Sequence, residues 1–183
     1  GDGVVDLEEI DVARRDYLRA FDRNRDGKIT PEDWARIKAG DARAENVLIA
    51  VRPGGRGDIG ETHVAWKYRK ALPYVPSPLH YQGRLYLVRD QGQMTSLEPQ
   101  TGEPFYAQEK LGPPGNYYAS PVAADGRIYV ASLPGKLVVV KAGGAKPEVL
   151  HTADFGERIL ATPALVGKNV YLRTQTKLYA FEE

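Results

Sequence analysis

Three segments of this chain repeat at a nearly constant spacing, and this repeat constrains the fold more than any other feature. Each segment opens with Ser or Thr followed by Pro, at Ser77-Pro78, Ser120-Pro121 and Thr162-Pro163. The openers are therefore 43 and 42 residues apart. A period near 42 residues, built from short strands, is typical of a β-propeller blade with about four antiparallel strands. An unrelated all-β sandwich is the alternative, and it would make the three aligned motifs a coincidence.

Short runs of Val, Ile, Leu and Tyr, separated by Gly, Pro, Asp and Asn, predict the strands of these repeats. Each opener is followed by a Gly and a strand that contains Tyr, and a second strand follows after a turn. The strands are predicted at Val47–Val51, Val64–Tyr68, Arg84–Val88, Arg127–Ala131, Lys136–Val140, Val170–Arg173 and Lys177–Phe181. No helical pattern interrupts them.

An acid-rich segment at residues 22–33 precedes the strands and matches a calcium-binding EF-hand loop. Such a loop places oxygen ligands at positions 1, 3, 5, 7, 9 and 12, with Gly at position 6, which Gly27 fills here. The candidate ligands are Asp22, Asn24, Asp26, Lys28 through its carbonyl, Thr30 and Asp33. Asp33 stands where Glu is usual, and its shorter side chain predicts weaker Ca²⁺ binding and poorer discrimination against Mg²⁺. The alternative, that Thr30–Asp33 is a helix capping box alone, is compatible with metal ligation.

The first nine residues fit positions 4 to 12 of a second EF-hand loop. Its candidate ligands are Asp2, Val4 through its carbonyl, Asp6 and Glu9. EF-hands usually occur in pairs, so a partner for the loop at residues 22–33 is expected. The first ligands of this half-loop would precede Gly1, and we therefore expect a truncated chain in which the half-loop binds metal weakly.

Helical patterns flank the complete loop. Leu7, Ile10, Tyr17 and Phe21 are spaced as on an amphipathic helix, and a second short helix is predicted from Pro31 to Ala39. The chain is thus predicted to be mainly β, with about three four-stranded blades of a partial β-propeller after a small α-helical EF-hand segment. We place the EF-hand segment at residues 1–45 and the blades at 46–183.

Composition excludes several classes of site and partner. The chain has no Cys, which excludes disulfides, thiolate metal sites and cysteine nucleophiles. Its formal net charge of +1 gives no indication of a nucleic-acid partner. No apolar run is long enough to cross a bilayer. His63, His80 and His151 are not at metal-ligand spacing, and no acid–base pair stands out, so we assign no catalytic residue.

The Ser-Pro openers, the Gly-Arg-x-Tyr segments and the stretch from Thr101-Gly102 to Tyr106 resemble the repeat of pyrroloquinoline-quinone-like (PQQ-like) propellers. In that family a Trp usually follows the Thr-Gly turn and docks adjacent blades, and Trp66 and Tyr106 fit this place. Val47–Val51 and Val64–Tyr68 resemble the last two strands of a blade, which implies that the EF-hand segment is an insertion within it. The resemblance covers about residues 47–183. The run from Val51 to Asp58, with an EF-hand segment before it, is similar to exported propeller proteins of planctomycete type, which implies a periplasmic or secreted location.

The all-oxygen ligand set of the loop at residues 22–33 favours Ca²⁺, with Mg²⁺ as an alternative ion. PQQ itself is not expected, because the acids lie in no cofactor motif and the vicinal Cys pair common in quinone enzymes of that family is lacking. The function that we expect is a non-catalytic scaffold or binding module for a protein or a cell-envelope polymer. The rest of the propeller, or other chains, would close the ring. The alternatives are part of a quinoprotein-type or glycan-active enzyme whose catalytic residues lie in missing N-terminal blades, and an EF-hand calcium sensor.

Overall fold

The fold has two parts that differ in secondary structure. The computed structural model describes residues 4–11, 15, 18–22, 24–43 and 46–182. The contacts of the chain divide it into the units Gly1–Asn46 and Val47–Glu183. Within the described residues, no helix has both the length and the apolar character needed to cross a membrane.

The described residues of the first unit include two very short strands and a long helix. Strand β1 (Val5–Asp6) leads into a 3₁₀ helix at Leu7–Glu9, β2 (Lys28–Ile29) pairs with β1, and α1 spans Pro31–Arg43. Leu7–Glu9 forms a 3₁₀ helix rather than the start of the predicted amphipathic helix, whereas Arg15, Leu18 and Arg19 are helical and Tyr17 lies outside the described residues. Pairing with β2 holds Val5 and Asp6 extended, and the Asp6 side chain then accepts the Glu8 amide at 3.0 Å. Helix α1 begins at Pro31, as expected, and runs four residues beyond Ala39.

The second unit consists of antiparallel sheets whose strands are adjacent in chain order. We number its sheets as blades I to IV. Blade I contains β3 (Leu48–Val51) and β4 (Val64–Tyr68). Blade II contains β5 (Leu79–Tyr81), β6 (Arg84–Arg89), β7 (Gln93–Leu97) and β8 (Pro104–Lys110). Blade III contains β9 (Val122–Ala124), β10 (Arg127–Ala131), β11 (Lys136–Lys141) and β12 (Glu148–Asp154). Blade IV contains β13 (Ala164–Val166), β14 (Asn169–Arg173) and β15 (Leu178–Glu182).

Two-residue turns begin the blades and fix their register. Gln82-Gly83 in blade II and Asp125-Gly126 in blade III both have positive φ at each residue, 47° and 72° and then 46° and 71°. These values are those of a type I′ turn, whose twist matches that of the flanking strands. In blade IV, Gly167 has a φ of 59° at the first turn position and Lys168 takes the second.

The hydrophobic core lies between adjacent blades. Tyr86, Val88 and Met94 of blade II pack with Ile128 and Val138 of blade III, and each of these side chains is fully buried. Smaller clusters join blade I to blade II and blade III to blade IV. The alternation of inward apolar residues along strands is what brings these faces together.

The openers form a chain of hydrogen bonds across three blades. The Ser77 amide donates to the Ser120 hydroxyl at 2.9 Å, and the Ser120 amide donates to the Thr162 hydroxyl at 3.0 Å. Strand β9 contacts both β5 and β13, so the first strands of successive blades are neighbours. We call this series of hydrogen bonds among Ser77, Ser120 and Thr162 the opener ladder.

Candidate metal-binding loop and propeller surface

The loop at residues 22–33 closes on its first carboxylate. Asp22 Oδ2 accepts the Gly27 amide at 2.8 Å, and Oδ1 accepts the Asp26 amide at 3.2 Å. Gly27 has a φ of 81°, a conformation that favours Gly and allows the sharp turn at the sixth position. Although it is charged, Asp22 is 92% buried (8% exposed). A buried carboxylate with this orientation places oxygen atoms inside the turn.

The third and fifth positions are linked to each other and to the backbone. The Asn24 side-chain amide donates to Asp26 Oδ2 at 2.8 Å, and Asn24 Oδ1 accepts the Asp26 amide at 3.4 Å. Asp26 Oδ1 accepts the Lys28 amide at 2.9 Å. The side chains at the first, third and fifth positions therefore lie together on the concave side of one turn.

The ninth and twelfth positions form a reciprocal cap at the start of α1. Asp33 Oδ2 accepts the Thr30 hydroxyl at 2.7 Å and the Thr30 amide at 3.0 Å, while the Thr30 hydroxyl accepts the Asp33 amide at 3.3 Å. The Thr30 hydroxyl, followed by the Thr30 amide, lowers the pKa of Asp33 below its ordinary value, and Arg36 adds to this effect. Asp33 thus fills the capping role considered from the sequence, with its second oxygen 3.4 Å from the Arg36 guanidinium.

Part of the N-terminal half-loop lies against the complete loop. Val5 pairs with Ile29, and both residues stand at position 8 of their respective loops. The Leu7 amide donates to the Gly27 carbonyl at 2.8 Å, and the Ile29 side chain is fully buried. This antiparallel contact joins the two loop sequences at equivalent positions.

The candidate ligands of the half-loop are not brought together by this contact. Val4 and Glu9 are exposed, and Asp6 caps the 3₁₀ helix through the Glu8 amide. Asp2 lies outside the described residues. The described part of the half-loop therefore shows no converging set of carboxylates.

The donor chemistry of the complete loop fits a hard divalent cation. Its side-chain donors are carboxylate, amide and hydroxyl oxygens, the ligand types that Ca²⁺ takes in flexible geometry. In the described part of the chain, no group of three His, Asp or Glu side chains converges closely enough to hold a metal ion. Two features explain this: Asn24 supplies an amide at the third position, and Asp33 is turned towards Thr30.

A row of apolar side chains lies beside the opener ladder, and the sequence analysis did not find it. The residue two positions before each opener is Val75, Tyr118 or Leu160. Val75 and Leu160 are 53% and 54% exposed, and Tyr118 is half-buried. We call these three residues the ladder row. The constant offset from the Ser-Pro and Thr-Pro openers was the signal that could have indicated it.

Trp66 docks blade I against blade II, as the repeat resemblance implied. Its indole N–H donates to the Pro99 carbonyl at 2.9 Å, and its ring lies against Gly102, where an added Cβ would stand 2.7 Å from the ring. Tyr106, at the corresponding place in the next repeat, is buried in the core between blades II and III.

Comparisons with known proteins match both units. The EF hand family matches residues 15–38. BamB from Moraxella catarrhalis has a TM-score of 0.57 and 17% identity, and the match covers 75% of this chain and 40% of BamB. The computationally designed Ika8 protein has a TM-score of 0.55 and 11% identity over 76% of this chain and 44% of its own. A quinohemoprotein alcohol dehydrogenase, ADHIIG from Pseudomonas putida HK5, has a TM-score of 0.44 and 14% identity, and the match covers 59% of this chain and 19% of the dehydrogenase. No curated protein sequence matches.

The second unit is a partial β-propeller, and the chain spans less than half the length of BamB or Ika8. It shares its propeller fold with BamB, and the match to the EF hand family lies before it in the sequence. The predicted fold class and the predicted resemblance to PQQ-like propellers and to the EF hand are confirmed, whereas the similarity to planctomycete-type proteins stays a prediction.

Proposed function

We propose that this protein is a non-catalytic binding module in which a calcium-loaded EF-hand accompanies a PQQ-like propeller. Its EF-hand segment would be residues 1–45 and its blades residues 46–183. Its partner would be a protein or a cell-envelope polymer, in the periplasm or outside the cell, the location that the repeat resemblance implies. The observation that carries the calcium part is the enclosure of the Asp22 carboxylate by the Gly27 and Asp26 amides.

The ligands in this proposal are Asp22, Asn24, Asp26, the Lys28 carbonyl, Thr30 and Asp33. When bound, Ca²⁺ would offset the repulsion between the Asp22 and Asp26 carboxylates in the turn, would draw Asp33 towards them, and would thereby stabilise the loop. Mg²⁺ is the competing ion, because the short Asp33 side chain favours fewer ligand contacts than Glu would allow. The half-loop residues Asp2, Val4, Asp6 and Glu9 would add at most a weak second site.

The calcium assignment is tested by changing one ligand and one neighbour that is not a ligand. Asp26→Asn removes a charge at the fifth position, and we expect the Ca²⁺ affinity to fall by about 10- to 100-fold. Glu32→Gln removes a charge at the eleventh position, where no ligand is needed, and should change the affinity by less than about 2-fold. Isothermal titration calorimetry on chelator-treated protein measures both. Equal losses in the two variants, or no heat in the unaltered protein, would contradict the assignment.

The ladder row supports the binding part of the proposal. Val75, Tyr118 and Leu160 place apolar surface at one end of three successive blades, next to the first strands that face one another. Exposed apolar residues that recur at one position of a repeat indicate a binding surface more strongly than scattered ones do, because solubility does not require apolar residues at that position. We propose that a peptide segment of a protein partner, rather than a polymer, contacts this row.

The ladder row is tested with a displayed peptide library and, in parallel, with soluble peptidoglycan fragments. We expect peptides to be selected and their affinity to fall by about 10-fold or more in Leu160→Ser, since a buried Leu contributes up to about 2 kcal/mol. Leu178→Ser is the matched control, because Leu178 is 71% exposed on blade IV. Selection that is unaffected by Leu160→Ser, or binding of the glycan fragments alone, would refute a peptide site at the row.

We also propose that further blades complete the ring, from this protein or from other chains. Tyr74 supports this: it stands three residues before its opener and is 84% exposed, whereas Tyr117 and Ile159 at the same position are fully buried. Tyr117 packs on the turn between β6 and β7, where Asp90 accepts its amide at 2.8 Å. The described strands of blade I, β3 and β4, provide no such turn for Tyr74, so the two further strands that would complete blade I would cover it.

A further inference from the structure

Two tyrosines fill the outer part of the interface between blades II and III. The Tyr81 hydroxyl accepts the Gly126 amide at 2.8 Å, and the Tyr86 hydroxyl accepts the Gly143 amide at 2.8 Å. Both rings pack on the apolar cluster that joins these blades. Each phenol therefore supplies a ring to the interface and an oxygen to a turn of the next blade.

The next interface lacks one of these two rings. Tyr81 pairs with Arg84 at the first turn of blade II, and Ala124 pairs with Arg127 at the same place in blade III. By the same register, Tyr129 corresponds to Tyr86. Ala124 thus stands where the preceding blade has a phenol.

A cavity of about 280 Å³ lies at this position between blades III and IV. Its apolar walls come from both blades and include Ala124, Tyr129, Val139, Leu165, Val170 and Phe181. Replacement of a Tyr by an Ala removes a ring-sized volume, which accounts for the cavity here. The apolar walls can pack against an aromatic ring, and the cavity is open to solvent on one side.

The polar end of the cavity also corresponds between the two interfaces. Lys168 occupies the second turn position of blade IV, the position from which Gly126 donates to Tyr81 in blade III. Gly167, Lys168 and Asn169 line the cavity. The hydroxyl of an aromatic ring placed over Ala124 would therefore be positioned to accept a hydrogen bond from the Lys168 amide.

We propose that the cavity over Ala124 binds a small phenol, with its ring against Tyr129 and Phe181 and its hydroxyl accepting the Lys168 amide. The phenol takes the place that Tyr81 fills in the preceding interface. Sites that combine apolar walls with one or two polar groups are typical of small-molecule binding, in which the apolar walls hold the ring and the polar group fixes its orientation. This site is separate from the EF-hand loop and from the ladder row, and it does not depend on either.

The probe is p-cresol, added to the full chain and followed by amide chemical shifts. We expect saturable shifts at Ala124, Leu165 and Lys168, with a dissociation constant on the order of 1 mM. Toluene has the same ring without the hydroxyl and should bind several-fold more weakly. The absence of saturable shifts at these amides, or an equal affinity for toluene, would overturn the proposal.

Variants that fill or duplicate the cavity provide the second test. Ala124→Tyr should occupy the site from within, raise the melting temperature and abolish the p-cresol shifts. Ala124→Leu is a second filling variant and should also abolish them. Tyr81→Ala should lower the melting temperature and create a second site, visible as new p-cresol shifts at Gly126. Retention of p-cresol binding at Lys168 in both filled variants would show that the phenol binds elsewhere.

Discussion

Glu157 joins the end of blade III to the last hairpin of blade IV through a carboxylate that accepts three hydrogen bonds. It accepts the Thr174 hydroxyl at 2.6 Å, the Thr176 hydroxyl at 2.8 Å and the Thr176 amide at 3.1 Å. The Thr174 hydroxyl, followed by the Thr176 groups, lowers the pKa of Glu157 to about 2. The charged form is therefore the one that the folded chain favours.

This carboxylate gives a prediction about acid stability. Because the folded pKa of about 2 lies below the ordinary value of about 4.3, the stabilisation is complete above pH 4.3 and is lost as the pH falls towards 2. Glu157→Gln should therefore lower the melting temperature at pH 7, and its difference from the unaltered protein should shrink between about pH 4 and 2. Thermal melts across this range measure it. Glu148→Gln, at an exposed acid on β12, should have a much smaller effect, and a difference that does not change with pH would contradict the prediction.

At the residue scale, the turn that brings the first, third and fifth loop positions together could be predicted from spacing, whereas the direction of one side chain could not. Asp22, Asn24 and Asp26 follow from a pattern in which each position has one geometric role. Asp33 satisfies both the ligand pattern and the capping pattern, and the sequence left both open. The structure places its Oδ2 on Thr30 because a helix start offers unpaired amide donors within reach.

Among elements, the interface between blades II and III depends on one buried hydroxyl. Tyr86 is fully buried, and its hydroxyl accepts the amide of Gly143, in the turn between β11 and β12. Tyr86→Phe keeps the ring and leaves this amide without its partner, so the free energy of unfolding should fall by about 1–2 kcal/mol.

Tyr171→Phe is the matched control for Tyr86→Phe. Tyr171 holds the same register position in blade IV, and within residues 46–182 its hydroxyl has no hydrogen-bond partner. The control should change the free energy of unfolding by less than about 0.5 kcal/mol. Urea unfolding measures both variants, and equal effects would contradict a specific role for the Tyr86 hydroxyl.

The central strands could be predicted from the sequence because their apolar runs are bounded by turn residues. Arg127–Ala131 has the predicted bounds, and Val64–Tyr68 does also. The outer strands β8 and β12 were not placed, because β12 has exposed residues at six of its seven positions and no apolar alternation marks it.

The turn of blade IV was aligned one residue out of register. The Gly that follows each opener would match Gly167 to Gly126, but the pairing of Val166 with Asn169 puts Lys168 in the turn, at the position of Gly126. The third repeat is one residue shorter between its opener and this Gly, which shifts the Gly to the first turn position.

For the whole molecule, calcium is expected to act as a structural ion rather than as a switch. In this proposal, free Ca²⁺ at 100 times its dissociation constant should stabilise the EF-hand unit by about 2.7 kcal/mol. Hydrogen exchange should then slow at the amides of Asp26, Gly27 and Lys28, which are bonded within the loop. Exchange in these amides that does not respond to calcium would argue against the structural role.

The sensor alternative gives the opposite result in a dye experiment. A calcium sensor exposes an apolar groove when the ion binds, and so its binding of a hydrophobic dye rises. A structural ion should leave dye fluorescence unchanged between calcium and chelator. A rise with calcium that is lost in Asp26→Asn would indicate a sensor, whereas a rise retained in that variant would arise elsewhere in the protein.

The opener ladder makes each repeat of this chain interchangeable at its borders. Ser120 offers its hydroxyl to the repeat before it and its amide to the repeat after it, so a single residue carries both connectors. A duplicated gene segment that encodes residues 77–119 would therefore arrive with the connectors needed at both of its junctions. Because every border uses the same pair of backbone and hydroxyl groups, whole repeats could be added or lost without a change in the residues that join one repeat to the next.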